Sequence, residues 1–67
     1  MMKIEIRTDG AAFRDPFTGD YDAYAEASEI RRILENVIQR LELGYTEGSC
    51  IDTNGNRVGS WSREDWL

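Results

Sequence analysis

The segment Ile51-Asp52-Thr53-Asn54-Gly55-Asn56-Arg57-Val58-Gly59-Ser60-Trp61 constrains the fold of this chain more than any other. Asn-Gly between two short, apolar-alternating runs reads as a β-hairpin, because both residues tolerate the positive φ of a type I′ turn. A two-residue loop at Asn54-Gly55 also sets a register. Thr53 then faces Asn56, Asp52 faces Arg57, Ile51 faces Val58 and Cys50 faces Gly59. That register puts Ile51 and Val58 on one face and an Asp52–Arg57 charge pair on the other.

The chain ahead of the hairpin divides into three pieces. Met2 to Thr8 alternates strictly, with Met2, Ile4 and Ile6 against Lys3, Glu5 and Arg7, which reads as a half-buried strand ended by Asp9-Gly10. Ala11 to Tyr21 reads as a loop, since Asp15-Pro16 disfavours helix and Thr18-Gly19-Asp20 supplies a turn. A helix is expected from about Asp22 to Leu43. Asp20 or Asp22 caps its start, Gly44 caps its end, and Ala23, Ala27, Ile30, Leu34, Val37 and Leu41 form an apolar stripe widened by Ile33 and Ile38. Arg31, Arg32, Glu35 and Arg40 lie off that stripe, on a solvated face.

The expected architecture is α+β: strand, helix, strand, strand, with one helix packed on one face of a small three-stranded sheet. Residues 1–61 form the domain and 62–67 a tail whose Trp66-Leu67 either folds back or binds a partner. Ile4, Ile6, Ile51 and Val58 belong under the helix. The other face then carries Lys3, Glu5, Arg7, Cys50, Asp52, Arg57 and Trp61. Two readings of Trp61 stay open: it wraps an edge of its own domain, or it meets a second copy or a partner. The uncovered face of so small a core makes a homo-oligomer, most simply a dimer, the expected state.

Composition narrows the chemistry. The chain has no histidine and a single cysteine, so the usual triads and an internal disulfide are excluded, and a zinc site is not expected. Asp52-x-Asn54-x-Asn56 resembles the start of a calcium loop, but Gly55 is misplaced and no glutamate closes the loop. Turn chemistry explains these residues, and capping explains Asp15, Asp20 and Asp22, so neither metal nor cofactor is expected. Cys50 reads as a structural thiol and no acid–base pair stands out, so the chain is not expected to be an enzyme. The N-terminus alternates charged and apolar residues unlike a signal peptide, and no apolar run spans a bilayer. A cytoplasmic location without membrane contact follows. Thirteen acids against eight bases oppose direct binding to duplex nucleic acid. Seven of those eight bases are arginine, a residue suited to bidentate contacts with phosphate or carboxylate.

Three stretches carry a resemblance: Lys3-Ile4-Glu5-Ile6-Arg7-Thr8-Asp9-Gly10-Ala11-Ala12-Phe13, Glu29-Ile30-Arg31-Arg32-Ile33-Leu34, and Asp52 to Trp61. They resemble a family of very small proteins from tailed phages, prophages and their bacterial hosts, mostly of unassigned function. The family more often has Asn where this chain has Gly10. Its members have a shorter loop before the helix than Pro16 to Tyr24 provides, and differ after Trp61. The resemblance implies a phage or mobile-element accessory protein in the cytoplasm of a bacterial host.

Function is therefore expected to be binding of a host target, including an anti-defence role by occluding a host protein or sequestering a nucleotide signal. The alternatives are a structural or regulatory homo-oligomeric protein, and an acidic mimic of nucleic acid. Phe13, Phe17 and Tyr21 either close the lid of the core or form a stacking platform beside Arg14. On the binding reading, Phe13 is the aromatic anchor and Arg14 the charge-assisted contact. Arg7, Arg57 and Trp61 join them on the uncovered face.

Overall fold

A computed structural model of the chain describes residues 1–63. The fold is α+β, in the order strand, helix, strand, strand. β1 (Lys3–Ile6) leads into a short 3-10 turn (Ala11–Phe13), then α1 (Ala23–Glu42), β2 (Glu47–Ile51) and β3 (Arg57–Ser62). The sheet is antiparallel throughout, with β3 in the centre and the order β1-β3-β2. β3 runs to Ser62, into the segment expected as a tail, and the Arg63 N–H donates to Thr46 O at 2.9 Å. The Trp66-Leu67 reading lies outside the described residues.

The helix is built as its sequence dictates. The Asp22 carboxylate accepts from the N–H groups of Tyr24 and Ala25, satisfying two orphan donors of the first turn. At the other end Gly44 takes φ +90. Its N–H donates to Leu41 O and the Tyr45 N–H to Arg40 O, each at 3.0 Å, which closes the helix in a Schellman motif. The apolar contact usual there is replaced by the Arg40 guanidinium, 5.4 Å from the centre of the Tyr45 ring. The buried line along α1 is Glu29–Ile33–Val37, rotated from the expected stripe, and Ala23, Ala27 and Ile38 are exposed.

The hairpin turns where expected but not as expected. Gly55 alone among its loop residues has positive φ, and Asn54 does not. The Gly55 N–H donates to Asp52 O at 3.0 Å, and the Asp52 N–H to Asn56 O at 2.9 Å. This is a type I turn with a glycine bulge, a three-residue loop in place of the type I′ turn. Asp52 therefore faces Asn56 and Ile51 faces Arg57. A second irregularity, between Cys50 and Ile51, leaves Val58 as the extra residue of β3 and restores the expected pairing of Cys50 with Gly59.

That bulge moves several side chains. Val58 and Trp61 both turn inward, whereas strict alternation would send them to opposite faces. Trp61, Cys50 and Asp52, expected on the open face, are buried, and Ile51, expected under the helix, is exposed. The core is Phe13, Ile33, Val37, Cys50, Val58 and Trp61, with Ile6, Ala12, Ile30 and Leu41 packed around it. Two glycines make room. A Cβ on Gly48 would stand 2.6 Å from the Trp61 indole nitrogen, and one on Gly59 would collide with the Glu5 carbonyl. Burying Trp61 also removes the expected ground for a dimer through that residue.

Glu29 is a buried acid with every reason to be there. Its carboxylate accepts from Arg32 Nε and Nη2 at 2.9 and 3.0 Å, and from the Thr53 N–H at 2.7 Å. Arg32 also donates to Ile51 O at 2.7 Å. Helix and hairpin turn are thus clamped by charge-assisted hydrogen bonds. Asp52 completes the network from below, accepting from the Asn54 and Asn56 N–H groups at 2.9 and 2.8 Å. The bond to Glu29, reinforced by the charge of Asp52, raises the pKa of Arg32 against its partial desolvation.

Candidate functional site

The loop between the 3-10 turn and α1 is closed on itself and short of buried surface. Its ends are fixed first. Phe13 N–H donates to Gly10 O and Arg14 N–H to Ala11 O, forming the turn that drives the Phe13 ring into the core at 1% exposure. Asp22 fixes the other end by capping the helix. Between them Arg14 and Tyr21 form an antiparallel bridge. The Asp15 N–H donates to Asp20 O, and the Gly19 N–H to Asp15 O.

The tip is stapled by one carboxylate. Asp15 Oδ1 accepts from the N–H groups of Phe17 and Thr18 at 2.7 and 3.0 Å, and Thr18 Oγ1 accepts from the Asp20 N–H at 3.2 Å. Pro16 presets its own φ and Gly19 supplies the positive one, +76. The result is an ordered turn with nothing beneath its ring: Phe17 is 94% exposed. Tyr21 and Tyr24 are also exposed, Tyr24 from the first turn of α1. Three exposed aromatics within eight positions are unusual, since each ring carries a large apolar area.

The expected site residues divide. Phe13 and Trp61 are core residues and offer nothing to a partner, which corrects their assignment to the binding site and leaves the core reading of Phe13 standing. Arg14 is exposed beside the loop, its Nε donating to Asp9 O at 3.4 Å. Arg7 and Arg57 are together on the outer face, where Arg7 Nη2 donates to Arg57 O at 2.8 Å. They are not joined to Arg14. Arg14 opens on a shallow hollow with Pro16, Ser28 and Asn54, whereas Arg7 and Arg57 open on another with Glu5 and Gly59.

The sequence points to Phe13 ahead of Phe17 and gives Tyr24 no role. A signal was present. Asp15-Pro16 and Thr18-Gly19-Asp20 bracket Phe17 with turn residues on both sides, so its ring has no element to pack against. Tyr24 stands two residues after the capping Asp22, off the buried line of α1.

Two acids of the loop have structural work. Asp15 and Asp22 spend their carboxylates on backbone N–H groups. Among the described residues no three His, Cys, Asp or Glu side chains are grouped to hold a metal ion. Cys50 is buried and its thiol pKa is pushed up by desolvation, the opposite of what a nucleophile needs. No helix among the described residues is long and apolar enough to cross a membrane. No known protein family, curated protein or solved structure matches the chain.

Proposed function

We propose that this protein is a non-catalytic binding module, an accessory protein of a phage or mobile element that occludes a bacterial host protein through its loop from Arg14 to Tyr24. The observation that carries this reading is the near-complete exposure of Phe17 on a turn pinned by Asp15. A backbone held in place before binding loses little conformational freedom on contact, and burying the ring it carries contributes about 1.5–3 kcal/mol. Tyr21 and Tyr24 add apolar area with polar tips, and Arg14 adds a charged contact at the margin. An aromatic centre with an arginine beside it is the usual make-up of a protein-binding hot spot. The phage origin is part of this proposal and rests on the resemblance of three stretches of sequence alone.

A protein target fits better than a nucleotide. A nucleotide needs a ring to stack on and cations for phosphate within one cleft. The paired Arg7 and Arg57 have no aromatic side chain in their hollow, and Glu5 lines it. Mimicry of nucleic acid is disfavoured by interleaved charge, as in the Arg31–Glu35 pair at 2.9 Å.

The test compares capture of bacterial proteins by the native chain and by a Phe17→Ala/Tyr24→Ala variant of unchanged melting temperature, read by mass spectrometry. One host protein retained by the native chain and lost from the variant supports the loop. Equal retention overturns it. A nucleotide released on denaturing the native protein would favour the sequestration reading instead.

A further inference from the structure

We infer that the free edge of β1 is a self-complementary pairing edge, and that two copies of this chain join there, antiparallel, about a two-fold axis at Ile4. With β3 central, β1 has one side without a neighbour among the described residues. The direction of its backbone groups follows from one bond: Arg7 N–H donates to Val58 O at 2.7 Å. Backbone groups alternate sides along an antiparallel strand, so Lys3 and Glu5 also turn toward β3. Met2, Ile4 and Ile6 then turn their N–H and C=O groups to the open edge.

Edge hydrogen bonds between two copies must therefore link even-numbered residues. Two-fold symmetry leaves three registers that pair most of the strand, centred on Lys3, Ile4 or Glu5. Centring on Lys3 sets Lys3 against its own copy. Centring on Glu5 sets Glu5 against itself and Lys3 against Arg7. Only centring on Ile4 sets Lys3 opposite Glu5, twice, with Ile4 against Ile4 and Met2 against Ile6 on the other face. Opposite charges directly across a strand pair are favourable and like charges are not. Neither Lys3 nor Glu5 forms an ion pair within the described residues, so both are free for this contact.

The same edge leaves apolar surface uncovered. Met2 and Ile4 share the inner face with Ile6 yet remain 40% and 39% exposed. The reason is the position of the helix, which packs on β2 and the 3-10 turn. Asn36 and Arg40 line the groove along β2, so the flank of α1 carrying Leu34 and the exposed Ile38 faces the β1 side. The other sheet edge is less available, because Arg32 already occupies the outward carbonyl of Ile51. Pairing at β1 would join two three-stranded sheets into one and remove Ile4 from water in both copies.

The experiment is light scattering with sedimentation equilibrium on the full chain at roughly 100 μM, a concentration that populates a micromolar dimer. Twice the 7.7 kDa chain mass is expected. Lys3→Glu and Glu5→Lys should each weaken the dimer about tenfold or more, by turning two attractive pairs into repulsive ones. The double variant, with the charges exchanged, should restore it. Ile4→Pro should leave a folded monomer, because the lost N–H faces away from β3. In a dimer of mixed isotope labelling, an intermolecular NOE between the two Ile4 side chains is expected. A native chain that stays monomeric overturns the inference. So does a dimer indifferent to the single reversals, a double variant as weak as the singles, or a dimer without the Ile4–Ile4 NOE.

Discussion

Asp15 and Asp52 do the same local work in two turns with opposite fates. Each carboxylate accepts two backbone N–H groups just downstream, and each turn uses a glycine with positive φ, Gly19 in one and Gly55 in the other. The hairpin turn is then covered. Glu29 and Arg32 reach it from the helix, Asp52 is buried beneath it, and Val58 beside it enters the core. The loop at Asp15 receives no such cover and carries Phe17 outward. Local hydrogen bonding thus shapes a turn without deciding its purpose. The second layer decides it: one turn is locked into the fold, and the other is left rigid and bare.

Two phenylalanines four positions apart should show this contrast most strongly. Phe13→Ala empties a fully buried site and should cost about 3–5 kcal/mol, enough to unfold much of so small a domain. Phe17→Ala should change stability by less than about 0.5 kcal/mol, because the ring touches almost nothing. Urea melts of the two variants give the comparison directly. Similar losses would mean that Phe17 belongs to the core and that the two turns do not differ as described.

Glu29→Ala comes next. It strips the acceptor from the Thr53 N–H and from two Arg32 nitrogens at once. About 2–3 kcal/mol should be lost, less than for a fully buried ion pair because Arg32 remains partly in water. Amide exchange should accelerate at Thr53 and leave Thr18 unaffected. Uniform acceleration at both turns would break the claim that only the hairpin turn is clamped.

These contrasts also show what the sequence made legible. β1, the hairpin position, the helix and both of its caps follow from alternation, Asn54-Gly55, Asp22 and Gly44, all of them local signals. The inward turn of Trp61 does not, because it depends on a bulge at Val58 that compensates for the three-residue loop. Gly48 and Gly59 hinted at it, since a glycine within a strand marks close approach, here of the indole and of β1. Glu29 was hidden for another reason. An acid reads as surface until its partners are known, and one of them, the Thr53 N–H, lies on a hairpin 24 residues away. The candidate loop was half legible: Arg14 and the aromatic cluster were visible, but which ring faced water depended on the 3-10 turn that inserts Phe13.

Asp52→Ala should cost about 2 kcal/mol, since two N–H groups lose their acceptor under a covered turn. The Asp52 N–H and carbonyl would still hold the loop through Asn56 and Gly55, so the hairpin should persist with a lower melting temperature. A melting temperature equal to that of the native protein would mean the carboxylate is incidental to the turn.

Asp15→Ala should cost less stability than Asp52→Ala and have the most telling effect on function. Its carboxylate also serves two N–H groups, but at an exposed tip where water replaces a lost acceptor, so about 1 kcal/mol or less should be lost. The backbone bonds from Asp15 to Asp20 and from Gly19 to Asp15 should keep the loop closed at its base. The Phe17 amide would be released, and the ring would sample orientations that the partner must select against, weakening capture of the host protein although no contacting side chain is altered. Asp15→Asn, which keeps an acceptor oxygen at the same place, should recover most of that capture. Were Asp15→Ala to bind as well as the native chain, the rigidity of this turn would have no part in recognition, and the loop would differ from the hairpin turn in exposure alone.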